Sequence, residues 1–205
     1  MTAVLVDSSM SWVFGYGSLV SPTSLERTLG RPVPTDRDWV LAVLRGYGRR
    51  WNYGSRTVRA DWEIDGRPVE RGLIVALGLV EAPGDWCNGA VAAVSDDELA
   101  LLDRRERDYD RVDVTDRIDP AGTISGPVVT YVPRTRAVAR YVEHRDEGRA
   151  AVSRRYFDLV RTAFDDLGPG EAERFEASTP APAVPVIDLE AFGNDTSPSH
   201  WRTDR

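Results

Sequence analysis

"WVFGYGSLVSPTSLERTLG", residues 12–30, decides how the chain begins to fold. An apolar run, Trp12–Val13–Phe14, breaks into Gly15–Tyr16–Gly17–Ser18–Leu19. Beyond the break, Ser21 stands at an N-cap position, Pro22 at the first helical position, and Gly30 just past the end. The stretch therefore reads as strand, glycine loop and short helix. The loop has two physical readings. It is a tight turn, or its amides at residues 16–19 point outward beside a helix N-terminus and bind a carboxylate or oxyanion without a metal. A dinucleotide fingerprint is excluded, because Val20 stands where a third glycine or alanine is required.

The rest of the chain narrows the classes. Its 205 residues suit one domain of ordinary size with a tail. Hydrophobic residues make up 41% and charged residues 29%, which supports a packed core rather than disorder. A net charge of −7 argues against a nucleic-acid surface. No apolar run approaches the roughly 20 residues of a membrane helix. Residues 1–12 lack a basic segment followed by a long apolar core, so no signal peptide is expected. Cys87 is the single cysteine, which rules out an internal disulfide and fits a reducing cytoplasm.

Further strands are expected at 39–44, 72–80 and 89–94, with turn formers (EAPGDWCN) before the last. The strongest local signal is SDDELALLDRRERDYD. Ser95 and Glu98 make a capping box, and Asp96 and Asp97 suit a helix N-terminus. Strands are expected again at 111–118 and 127–132. Residues 135–147 and 150–167 read as helices, and 171–178 adds a turn or two. Strands precede most of the helix, which argues for α+β. The expected organisation is a lead-in at 1–11, one domain at 12–178, and an extended proline-rich and polar tail at 179–205.

Glu106 is the most informative carboxylate. At about 100° per residue it lies only about 20° from the direction of Leu99, on the same side as Leu102, whereas Asp108 points roughly the opposite way. Burial would raise its pKa and make it a useful base or acid near neutrality. The alternatives are a helix-end position that reaches water, or a structural ion pair with Arg45, Arg49 or Arg50. Those last two belong to a basic aromatic segment, residues 46–51, that is either a carboxylate clamp or a solvated edge around one packed tryptophan. Cys87 has no neighbouring histidine in sequence, and His144 and His200 lie far along the chain. A Cys/His nucleophile and a zinc site are therefore disfavoured. Ser18 lacks the flanking pattern of a nucleophile elbow.

Tyr16–Gly17–Ser18–Leu19, then Arg49–Arg50–Trp51, then Leu102–Asp103–Arg104–Arg105–Glu106 resemble, in order and spacing, the γ-glutamylcyclotransferase superfamily, and its ChaC-like branch most. The resemblance covers roughly residues 12–132. It implies a small mixed β-barrel flanked by helices. It also implies that the loop at 16–19 cradles a γ-glutamyl group, with Glu106 facing it as the essential carboxylate. Arg49 and Arg50 are candidate clamps for the substrate's α-carboxylate, and Tyr109 is carried over as a further substrate contact. The implied reaction cyclises a γ-glutamyl amide to 5-oxoproline and releases an amino acid, peptide or amine. It needs no metal or organic cofactor, and its partner is a small molecule rather than a nucleic acid or a membrane. The rival reading is a non-catalytic binding protein for an amino-acid-like ligand on the same fold.

Overall fold

The computed structural model describes residues 10–33, 39–119, 124 and 126–189. The opening stretch folds as its caps dictate. Strand β1 (Met10–Gly15) runs into the glycine loop, a 3-10 turn covers Ser18–Val20, and helix α1 spans Pro22–Leu29. The Ser21 hydroxyl accepts from the Ser24 amide at the start of α1, and Gly30 closes the helix in the left-handed conformation at φ 71°.

Two long antiparallel strands follow, β2 (Trp39–Ile64) and β3 (Arg67–Ser95). Asp65 and Gly66 join them with φ values of 50° and 72°, as a two-residue hairpin turn requires. The separate strands expected at 39–44, 72–80 and 89–94 are parts of this pair, and most of the stretches between them lie inside strands. Gly54 lies within β2. A Cβ on it would stand 2.9 Å from the Tyr141 amide nitrogen and 3.0 Å from the Ala137 carbonyl oxygen, so it admits a neighbouring backbone. The expected turn before residue 89 survives only as a bulge. Arg45 lies opposite Trp86 and Tyr47 opposite Glu81, which leaves residues 82–85 looped out of the ladder. Cys87, read as a turn residue, is a fully buried strand residue opposite Leu44.

Helix α2 (Asp96–Arg105) begins at the expected capping box, with both reciprocal bonds between Ser95 and Glu98 formed. The strand expected at 111–118 is divided into β4 (Tyr109–Asp113) and β5 (Ile118–Asp119). The Asp113 carboxylate accepts from the Thr115 amide at 2.9 Å and hydroxyl at 2.6 Å, which turns the chain out of the ladder. Strand β6 (Val128–Pro133) and helix α3 (Thr135–Asp146) come next. Residues 150–153, expected as the first helical turn, instead form strand β7 (Ala150–Ser153), and helix α4 starts after it (Arg154–Asp166). These small and branched side chains are all buried beside β3, where pairing outweighs helical continuity. Helix α5 (Glu171–Ser178) and strand β8 (Val186–Ile187) complete the order.

The strands pair in the order β4-β6-β1-β3-β2-β5, with β7 also on β3 and β8 on β7. The β1–β6, β3–β7 and β7–β8 pairs are parallel and the others antiparallel, so the sheet is mixed and flanked by helices. Strand β1 alternates between two cores. Trp12 and Phe14 join a cluster with Leu44, Ile74, Leu77, Val160, Phe164 and Phe175. Val13 joins another with Leu25 and Leu29 of α1 and Leu99 and Leu102 of α2. The second cluster sets α1 beside α2, which brings the C-terminal end of α2 to the loop that precedes α1. Among the described residues no helix is long and apolar enough to cross a membrane.

Candidate active site

The end of α2 meets the opening loop through Arg105. Its guanidinium donates from Nη2 to Ser18 Oγ at 2.9 Å and from Nη1 to Thr28 Oγ1 at 2.7 Å, with longer bonds to the oxygens of Ser24. Its Nε stands 3.0 Å from Glu106 Oε1. The Arg105 side chain is 6% exposed and that of Glu106 14%. Ser18 and Glu106 thus line one cavity of about 300 Å³, together with Tyr53, Tyr109 and Tyr156.

Glu106 is the C-cap of α2, with φ −94° and ψ 30°, and not a residue of its helix. The chain turns there, the Tyr109 amide donating to the Glu106 carbonyl at 2.8 Å. A uniform rotation of about 100° per residue stops at the helix end. This explains a correction at Asp108, which was expected to point away from the apolar stripe. It is 4% exposed, lines the same cavity, and pairs with Arg136 at 3.2 Å and Arg140 at 3.7 Å.

Burial raises the pKa of Glu106, and the Arg105 cation opposes that rise. The negative end of α2 works in the same direction as burial. The Glu106 charge acts in turn on the surrounding phenols. Burial first, and this carboxylate among the charges, push Tyr16, Tyr109 and Tyr156 well above their ordinary range and Tyr53 up to about 12. All four are therefore neutral hydroxyls at physiological pH. Tyr109 donates to the Leu77 carbonyl at 3.1 Å and stacks on Tyr53, ring centres 4.5 Å apart. Tyr16 donates to the Tyr131 carbonyl at 2.7 Å.

The sequence candidates divide. Ser18, Glu106 and Tyr109 come together on the cavity wall. Gly17 lies against it, since a Cβ there would stand 3.4 Å from the Tyr156 hydroxyl. Tyr16 and Leu19 are buried, Tyr16 in the larger core cluster and Leu19 in the smaller. Arg49 and Arg50 are not on this wall. Arg49 is fully buried, its guanidinium 4.6 Å from the ring centres of both Phe164 and Phe175. It donates to Thr179 Oγ1 at 3.0 Å and to the backbone and side-chain oxygens of Asn88. Desolvation lowers its pKa to about 10, so it stays charged. Arg50 pairs with Asp85 at 2.5 Å. The expected carboxylate clamp therefore does not form from this segment, because both guanidiniums are engaged by the protein's own acceptors. Nor do Arg45, Arg49 or Arg50 pair with Glu106, as the structural alternative required: Arg45 pairs with Asp119.

Arg105 is the residue that sequence reasoning passed over. The available signal was its place beside Glu106 in Arg105–Glu106, but neighbours at a helix end do not announce contact with a loop more than eighty residues away. Burial raises the Cys87 thiol pKa, and the nearby Arg49 opposes it. His144 Nδ1 contacts the Arg140 carbonyl at 3.0 Å, and His200 lies outside the described residues. A wider, open depression of about 590 Å³ lies along β2 and β5, where Arg117–Glu81 and Arg45–Asp119 pairs satisfy one another.

Comparisons with known proteins agree with this architecture. No curated protein matches the chain. Among solved structures, a γ-glutamyl cyclotransferase aligns over 93% of this chain and 95% of its own, at 14% identity and a TM-score of 0.54. An uncharacterized protein from Homo sapiens aligns over 84% and 90%, at 16% identity and a TM-score of 0.51. A protein from Arabidopsis thaliana shares 28% identity over 68% of this chain and 72% of its own, with a TM-score of 0.42. At 14% and 16% identity the first two share the fold with this chain. The family model for ChaC-like proteins matches residues 11–152, from β1 through the loop, the Arg105–Glu106 junction and β7. The chain belongs to the ChaC-like family.

Proposed function

We propose that the protein is a γ-glutamylcyclotransferase-type enzyme, converting a γ-glutamyl amide to 5-oxoproline with release of an amino acid, peptide or amine. One observation carries the reading. A carboxylate shielded from bulk water, Glu106, shares a cavity with Ser18 of the glycine loop and is tied to it through Arg105.

The chemistry follows from what the substrate brings. A γ-glutamyl amide holds its own nucleophile, the α-amine, tethered to the carbonyl that it attacks, so the site need only fold it into the cyclising conformation. Glu106 takes a proton from the α-ammonium. The freed amine attacks the side-chain carbonyl carbon and closes the five-membered ring. The carbon–nitrogen bond to the leaving amine breaks as Glu106 returns the proton to that nitrogen, and the second proton, left on the ring nitrogen by the attack, passes to the released amine, which departs as an ammonium. No water is consumed, and the sequence of steps calls for no cofactor. Tethering by Arg105 holds the carboxylate opposite the loop. Residues 16–19 cradle the γ-glutamyl end, and their amides stabilise charge on the carbonyl oxygen. The neutral phenols of Tyr53, Tyr109 and Tyr156 wall the cavity without competing for the proton. The single cysteine fits a reducing cytoplasmic setting.

The test is Glu106→Gln with a panel of γ-glutamyl compounds. The wild-type chain releases 5-oxoproline from at least one; the variant binds that compound and turns it over at least ~100-fold more slowly. Near-normal turnover by the variant removes Glu106 from the role. Binding without turnover by the wild-type chain gives the fold to the binding reading.

A further inference from the structure

The arginines of this chain are mostly engaged. Arg31, Arg45, Arg50, Arg111, Arg117 and Arg134 each hold a carboxylate within 3.0 Å. Arg56, Arg104 and Arg107 differ. All three are exposed, all three line the Glu106 cavity, and among the described residues none has a carboxylate within 4.0 Å. The acidic groups that could have neutralised them are already engaged. Glu106 is held by Arg105, and Asp108 by Arg136 and Arg140. A molecule of net charge −7 therefore presents, at the cavity that holds Glu106, three guanidiniums with no carboxylate partner among the described residues.

A cleft rim lined by one sign of charge focuses its field outward and draws an anionic ligand. A γ-glutamyl end brings a single α-carboxylate, which one guanidinium fork satisfies. Two forks remain for the other end of the substrate. We propose that Arg56, Arg104 and Arg107 form an anion-reading rim that selects γ-glutamyl amides whose leaving amine is itself acidic: an acidic amino acid, or a short peptide that carries a side-chain carboxylate as well as its terminal one. The proposal rests on the cyclotransferase reading above and adds the charge of the leaving group to it. The exposed guanidiniums also draw such a substrate toward the cavity, an effect that salt screens.

Three substrates separate the contributions. γ-Glutamyl-glutamate and γ-glutamyl-glutamine are near-isosteric and differ by one carboxylate in the leaving group, while a γ-glutamyl alkylamine has none there. In low salt, kcat/KM for γ-glutamyl-glutamate should exceed that for γ-glutamyl-glutamine by up to about fivefold, with the alkylamine lowest. High salt should compress the ratio, and so should the combined variant R56Q/R104Q/R107Q. A circular dichroism melt matching the wild type shows that the variant is folded. If it is not, the single variants, each removing one exposed guanidinium, are measured for the same ratio. Equal kcat/KM for the first two substrates, or a ratio that the variants leave intact, overturns the rim while leaving the cyclotransferase reading in place. Failure of the wild-type chain to turn over any of the three, or any other γ-glutamyl compound, removes the reading beneath it as well.

Discussion

Glu106 and Arg49 were both singled out in the sequence and both are shielded charges, yet they came to opposite ends. Around Glu106, one wall is protein and the other is a cavity. Around Arg49, every direction is protein: two phenylalanine rings, Asn88, Thr179 and, behind Asn88, the Glu171 side chain at 2.8 Å. Glu106 keeps 14% of its side chain accessible, whereas Arg49 as a residue keeps none. A buried charge with all its partners inside the fold serves the fold. One with an open side is available to a ligand. The residue type does not distinguish these cases, and neither does the depth of burial taken alone.

That contrast can be broken by substitution. Glu106→Gln should cost at least ~100-fold in turnover while leaving the melting temperature close to wild type. A large loss of stability instead would put Glu106 on the structural side. Arg49→Met should do the reverse, lowering unfolding free energy by about 3 kcal/mol as Asn88 and Thr179 lose their donor and the aromatic slot loses its cation. Urea denaturation measures it, and unchanged stability with a raised KM would return Arg49 to the substrate. Arg105→Gln sharpens the comparison from within the junction. Glu106 must be deprotonated to accept the substrate's proton, so activity rises with pH through its pKa. Removing the neighbouring cation removes the influence that holds that pKa down. The acidic limb of the kcat/KM profile should therefore move to higher pH. A limb that stays in place, or moves to lower pH, would mean that Arg105 does not act on the carboxylate. The smallest effect belongs to Ser95→Ala, which removes one half of the α2 capping box and should cost about 1 kcal/mol in a thermal melt, with the pH profile unchanged.

Where local chemistry decided the structure, the sequence was readable. Ser21, Pro22 and Gly30 bound α1, and Ser95 with Glu98 starts α2, because caps satisfy backbone groups within a few residues. The hairpin turn at Asp65–Gly66 was equally local and was overlooked, which left two long strands read as pieces. Another misreading came from distance. Residues 150–153 resemble a helix start until β3 offers them a parallel partner.

The site divides along the same line. The chemical parts, a glycine loop after a strand and a glutamate at the end of an apolar helical stripe, were present in the order of residues alone. The order of elements, several strands before most of the helix, also pointed to the α+β class. Only the tertiary structure decided which arginines face the cavity, that Asp108 turns inward, and that Arg105 reaches from α2 to Ser18. The reason is physical: capping and turn energies act over a few residues along the chain, whereas the partner of a long charged side chain is set by whichever acceptors the packed helices and sheet bring within about 3 Å of it.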